Sequence, residues 1–294
     1  MMNTLLDTFG TSLTKRLLSR VALPGLLFVA CCSWFAAAGH ARVLDFAAYS
    51  SEVDLLWSQT RTAPLALLIA AVSTAIAAGV IASLLGRGVH RVWIMRLSWD
   101  DLPPNSKRSR PFRRGGKRWI EWRRQRYSAR NRKRGVQPPR NYRPQCTTAI
   151  GDAFRLIGTR IDAQYGLSAN AAWPRLVLLV NADTRSLVDE AYQRYRSDTI
   201  LAAWSLLLLP WSALSWPAAL IGTAGLVTAH LRARASSTAL ATIVESVFDV
   251  HQLPLAASVG IEVSQGRLTR TEGNHITDIL TKRAQTPSSR TAQT

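Results

Sequence analysis

The chain is poor in acidic residues and poorer in cysteine, and the spacings that mark common catalytic sites are missing. Its 294 residues include 18 Asp and Glu against 37 Lys and Arg, a net charge of +19. Cys31 and Cys32 are neighbours inside an apolar run and Cys146 stands alone, so no disulfide framework is implied. Cys31 and Cys32 read as small buried residues, and acylation is disfavoured because they lie inside the run instead of beside it. There is no HExxH, Cys-x-x-Cys, GxxxxGK or GxSxG, and the five histidines are scattered at 40, 90, 230, 251 and 275. The sequence therefore names no catalytic residue, no metal site and no cofactor, and the chain is read as non-enzymatic.

What is present is segregated. A mean hydropathy of +0.02 alongside a charge of +19 requires apolar and basic residues to occupy different stretches. Residues 86–145 hold nineteen basic and three acidic residues, +16 in all, and uncharged apolar runs lie on either side. This excludes a simple soluble basic domain, an extracellular disulfide scaffold and a fully disordered tail protein.

Crossing a hydrocarbon core of about 30 Å takes about 20 apolar residues of helix. The runs 21–39 and 63–85 meet that directly. The longer run 199–231 reads as a tight hairpin of spans 199–211 and 217–231, with Pro210 and Pro217 bracketing the turn 212–216 and Trp211 and Trp216 beside it. A re-entrant hairpin would also leave both ends on one side. Lys15, Arg16 and Arg20, then Arg87, Arg91 and Arg96, then Arg194 and Arg196, and finally Arg232 and Arg234 flank these spans. By the positive-inside rule all four groups lie on one face of the membrane. The expectation is an all-α integral membrane protein of the plasma membrane, with two hairpins of spans, both termini cytoplasmic, and the connection 40–62 outside. A cleaved leader is the rival for the first span, because Ala36-Ala37-Ala38 and Gly39-His40-Ala41 resemble cleavage sites. The long apolar core and the twenty residues before it argue against that.

Outside the spans, residues 1–20 read as an amphipathic surface helix and 86–147 as a basic cytoplasmic loop, disordered or only partly helical. A cytoplasmic helical region follows over 148–198, another over 232–283, and 284–294 as a disordered tail. Thr148 opens a helix that Gly166 ends, and Asp183 or Thr184 caps the next. Glu245, Asp249 and His251 lie close together on one helix, and Glu245 and Asp249, four residues apart, read as a solvated face. Asp189 and Glu190 read likewise, and His230 as interfacial.

The chosen site residues fall in two groups. Arg113, Arg114, Lys117, Arg118, Trp119, Trp122, Arg123, Arg124, Arg126, Arg130, Arg132, Lys133 and Arg134 form a polybasic, aromatic-bearing set suited to anionic lipid headgroups, with Tyr127 among them. The same chemistry suits nucleic acid less directly, and a loop that only enforces topology is the plainer alternative. Ala71, Ala75, Gly79 and Ser83 make a small-residue stripe on which another helix packs, within the monomer or in a homo-oligomer or membrane partner.

At Tyr165-Gly166-Leu167, Ala171-Ala172-Trp173-Pro174-Arg175-Leu176 and Ala239 through Asp249-Val250-His251 with Gly260-Ile261, the chain resembles uncharacterised multi-pass membrane proteins of actinobacteria. The resemblance covers roughly the second half and fits an arginine-rich, lysine-poor composition. It implies a Trp-Pro-Arg-Leu stretch ahead of a membrane hairpin, and it carries no activity. The functional expectation is a lipid-bound scaffold for a partner or oligomer. A membrane-perturbing effector or channel-like component of a stress or antiphage system is the alternative, and a membrane tether for nucleic acid is third.

Overall fold

The computed structural model describes residues 23–38, 64–95, 110–135, 137 and 139–282. The predicted surface helix 1–20, the connection 40–62 and the tail 284–294 lie outside the described residues, as do the side chains of Arg113 and Arg114. Among the described residues the fold is all-α. The helices are α1 (Leu23–Ala38), α2 (Pro64–Ile94), α3 (Arg110–Lys133), α4 (Ala149–Tyr165), α5 (Ala169–Leu179), α6 (Ala182–Leu208), α7 (Trp216–Ser258) and α8 (Arg270–Leu280). Short 3₁₀ turns cover Arg140–Tyr142 and Leu209–Ala213.

The chain divides into two compact units, one from residues up to 90 together with 196–232, the other from 91–195 together with 233 onward. In the first, side chains are arranged opposite to a water-soluble core. Its buried positions are mostly small, Ala75, Ala78, Ala82, Ala202, Ala203, Ala218 and Ala229, with Phe35 the large apolar exception. Its large apolar side chains point outward, among them Leu27, Ile69, Val80, Leu84, Leu220, Val227 and Leu231. Small residues let backbones approach, which is how helices pack where the surroundings are as apolar as leucine. Gly25 of α1 lies so close to Ala75 of α2 that a Cβ would overlap the Ala75 carbonyl. Phe28 meets Trp204 of α6 at 5.3 Å between ring centroids. The α6–α7 pair is antiparallel, since Ser205 abuts Gly222 and Gly225 while Arg232 reaches back to Asp198 at 3.1 Å. Cys32 is buried, but Cys31 is exposed, contrary to its expected burial. Among the described residues one helical stretch, Ile69–Ile94, is long and apolar enough to cross a membrane. The apolar parts of α6 and α7 belong to longer helices that carry charge. Arg232 and Arg234 do not break α7, which runs without interruption into the helical region expected over 232–283.

The second unit has a conventional core. Ile157, Ile161, Leu167, Leu176, Phe248, Leu255, Leu268 and Ile276 are buried together where α4, α5, α8 and the later part of α7 meet. Thr148 caps α4, accepting from the Gly151 amide, and Gly166 ends it in the left-handed region at φ 68°. A Cβ on Gly273 of α8 would overlap the Tyr165 carbonyl, so glycine sets that close crossing. Asn181, and neither Asp183 nor Thr184, caps α6, because its Oδ1 accepts from the Thr184 amide at 2.8 Å. Helix α8 begins with a reciprocal capping box between Thr269 and Glu272. The Trp173-Pro174-Arg175-Leu176 stretch lies within α5. Trp173 stacks on Phe248, Leu176 is fully buried, and Arg175 donates to the Leu280 carbonyl at the end of α8.

Candidate anion-binding site

The basic stretch departs most from its sequence reading. A segment expected to be disordered or only partly helical contains a 24-residue helix, α3, docked along one face. Gly116, Ile120, Arg123, Tyr127 and Asn131 recur at three and four residues and are its less exposed positions, with Ile120 only 4% exposed. Composition pointed to disorder because so few of these residues are apolar. The docking instead uses polar heads on long side chains. Trp119 Nε1 donates to the Thr147 carbonyl at 2.9 Å, and Arg124 Nε donates to the Pro144 carbonyl at 3.1 Å. Arg123 donates to the Cys146 carbonyl and pairs with Asp152 at 2.8 Å.

Asp152, in the first turn of α4, is the hub. Its Oδ1 accepts from the amides of Gln145 and Cys146 at 2.9 and 3.0 Å, and Arg155 lies 3.7 Å away. Arg155 in turn donates to the carbonyls of Asn141 and Arg143. The segment 140–147 is thus fastened by a buried carboxylate and two arginines. Its far end closes α2: Thr147 and Thr148 hydroxyls donate to the Val92 and Trp93 carbonyls at 2.6 and 2.8 Å, satisfying acceptors a helix end leaves open.

Docking sorts the predicted basic set into three. Trp119, Arg123 and Arg124 hold the helix down. Lys117, Arg118, Arg132 and Lys133 point away, exposed and without a carboxylate partner among the described residues. Arg126, Arg130 and Arg134, one turn apart, line a cleft of about 620 Å³ together with Trp122 and Tyr127. Trp122 stacks on Trp119 at 4.9 Å and carries the Arg126 guanidinium 4.4 Å above its ring.

The cleft's other walls were not among the binding residues chosen from sequence, where Arg234 served only to orient a span. Helix α4 contributes Arg160, α7 contributes Arg234, and Tyr142 closes one side. Counting Arg123, six arginines line this space against one carboxylate, Asp152, whose oxygens are already engaged. Arg160 also pairs with Glu245 at 3.0 Å. Asn131 Nδ2 is buried in the same wall with no hydrogen-bond partner. Arg160 and Arg234 are about 26 and 100 residues from α3's last turn, so only the tertiary fold collects them.

No protein-family model, curated protein or solved structure matches the chain. The reading of the site therefore rests on its chemistry.

Other singled-out residues have structural partners. Glu245 and Asp249 make interhelical contacts, Glu245 half-buried and Asp249 exposed, so the face is solvated in part but not without partners. Asp249 accepts from the Tyr165 hydroxyl at 2.6 Å. Burial, then the bond to Asp249, pushes the Tyr165 phenol up to about 12. His251 Nδ1 sits 3.1 Å from the Val247 carbonyl. Glu190 pairs with Arg194 at the surface. Of the small-residue stripe, Ala75 and Gly79 are buried and Ala71 half-buried, while the Ser83 hydroxyl donates to the Gly79 carbonyl at 2.9 Å. A second cavity, about 600 Å³, lies in the helical core beside Trp173, Val177, Val244 and Phe248 and is lined mainly by apolar side chains.

Proposed function

We propose that the protein is a multi-pass integral membrane scaffold whose helix α3 rests on anionic lipid at the cytoplasmic surface. The single observation that carries this reading is the division of α3 into a docked face and an outward row. Lys117, Arg118, Arg132 and Lys133 are held outward by a helix that is itself anchored, with Glu121 as the exposed acid nearby. Each cation near an anionic leaflet contributes about 1 kcal/mol, so the row supplies on the order of 4 kcal/mol without folding anything new. The small-inside, large-outside packing of the first unit supports spans at 21–39, 63–85, 199–211 and 217–231, with the helical second unit and both termini in the cytoplasm. No chemistry is assigned to the chain; its role is to hold a partner or a second copy at the membrane.

Reporter fusions at residues 50, 120, 214 and 280 test the topology. The reading requires 120 and 280 inside the cell and 50 and 214 outside. A fusion at 120 found outside would overturn it.

A further inference from the structure

We propose that the cleft between α3, α4 and α7 binds a nucleoside di- or triphosphate, its arginines taking the phosphates and its tyrosines the base. The inference does not depend on α3 touching lipid, because the outward row and the cleft use different residues. Three observations converge. First, the charge is uncompensated: Arg126, Arg130, Arg134 and Arg234 line the cleft with no carboxylate partner among the described residues, and Asp152 is already spent on Arg123 and two amides. The four are exposed side chains gathered along one open cleft, where like charges repel each other and make a positive field that an anion of several charges relieves. Guanidinium groups from three helices present forked donors, the geometry that matches phosphate oxygens.

Second, the Asn131 amide is a buried donor without an acceptor in the same wall. Buried donors in folded proteins are nearly always satisfied, and a turn of the Asn131 side chain would present this one to a phosphate or base oxygen in the cleft. Third, the cleft is not merely basic. Tyr127 and Tyr142, both half-buried, line it, and a ring of either kind offers a face for a base. A volume of about 620 Å³ falls in the range of small-ligand pockets. Simple phosphate would leave most of that space and both rings unused.

The test uses the full chain in neutral-lipid nanodiscs, titrated with ATP, with inorganic tripolyphosphate and with inorganic phosphate. Saturable ATP binding is expected, tighter than tripolyphosphate, with inorganic phosphate weakest. Arg130→Gln and Arg234→Gln are the variants of choice, because neither side chain has a carboxylate partner among the described residues and their loss strands no buried charge. Each should weaken ATP by about tenfold or more, the size of a charge-assisted hydrogen bond. Tyr127→Leu with Tyr142→Leu should weaken ATP while leaving tripolyphosphate unchanged. A control pair outside the cleft, Arg267→Gln with Lys282→Gln, removes the same charge as the two arginine changes together and should leave ATP binding as it was. Absence of saturable ATP binding would overturn the proposal. So would equal losses in the control pair, which would mark general polyanion attraction, or tripolyphosphate binding as tightly as ATP, which would remove the base from the assignment.

Discussion

Truncating Asp152 to alanine is expected to release α3 from the helical unit. The carboxylate is 10% exposed and receives two backbone amides, the Arg123 guanidinium at 2.8 Å and the field of Arg155. Removing it leaves two buried cations without their carboxylate, held only by backbone carbonyls, and the Gln145 and Cys146 amides without an acceptor. Loss of one partner of a buried pair costs about 3–5 kcal/mol. The anchors that remain on α3 are the burial of Ile120, about 1.5–3 kcal/mol, and the bonds from Trp119, Arg124 and Arg123 to backbone carbonyls, about 1 kcal/mol each. The loss is therefore comparable to what is left, and the open population should rise by about 10² to 10⁴. Limited trypsin digestion of the full chain in detergent reads this directly, since cleavage after Arg123 or Arg124 requires the helix to detach and unwind. Arg123→Gln breaks the same pair from the α3 side and should accelerate the same cuts, with cleavage inside α4 to α8 unchanged. Asp152→Asn keeps an acceptor for the amides and should fall between. If both truncations left the cleavage rate at 123 and 124 at the wild-type value, the docking account would be wrong.

Gly273→Ala should destabilise α8 by more than about 1–3 kcal/mol, because its Cβ would overlap the Tyr165 carbonyl; hydrogen exchange of α8 measures it. Thr269→Ala removes one half of the capping box and should cost about 0.5–2 kcal/mol by thermal unfolding. Bonds from the Thr269 backbone, then its hydroxyl, then the Ser264 backbone hold the Glu272 carboxyl down to about 2. Its contribution is therefore present above the ordinary value of 4.5 and disappears as pH falls from there toward about 2; α8 amide exchange should accelerate across that window, and not in Glu272→Gln. The Tyr165 phenol should ionise near 12, so the stabilisation of its neutral form persists below the ordinary value of 10 and is lost as pH rises through about 12. Ultraviolet absorbance titration against Tyr165→Phe identifies that phenol.

Local signals were legible where the chemistry is local. Thr148 and Gly166 bound α4 as cap residues do, because a hydroxyl and a missing Cβ act on their own neighbours. The apolar run 63–85 supplies most of α2, since nothing in it interrupts a helix, and α2 continues through Arg87, His90 and Arg91 to Ile94. Asn181 was passed over for Asp183, one of several capping types crowded into the same turn. The docking of α3 was not legible at all. Its partners are the carbonyls of Pro144, Cys146 and Thr147 and one acid, and no pattern of residue types announces that a carbonyl points at a helix. Glu245 and Asp249 looked like solvated charge because Arg160 and Tyr165, which engage them, lie more than eighty residues away. The same distance hid the arginine cleft: α3 supplies half of it visibly, and Arg160 and Arg234 arrive only through tertiary packing.

The claim on which the functional account stands is that the outward row of α3 meets anionic lipid. A fluorophore at an introduced Gln125→Cys, an exposed position on α3, with native cysteines replaced by serine, measures this in nanodiscs carrying headgroup-attached quencher. With anionic lipid at low salt the account predicts strong quenching, falling as salt is raised and absent with neutral lipid or when Lys117, Arg118, Arg132 and Lys133 are changed to Gln. Quenching that ignored lipid charge, salt and those four residues alike would contradict it.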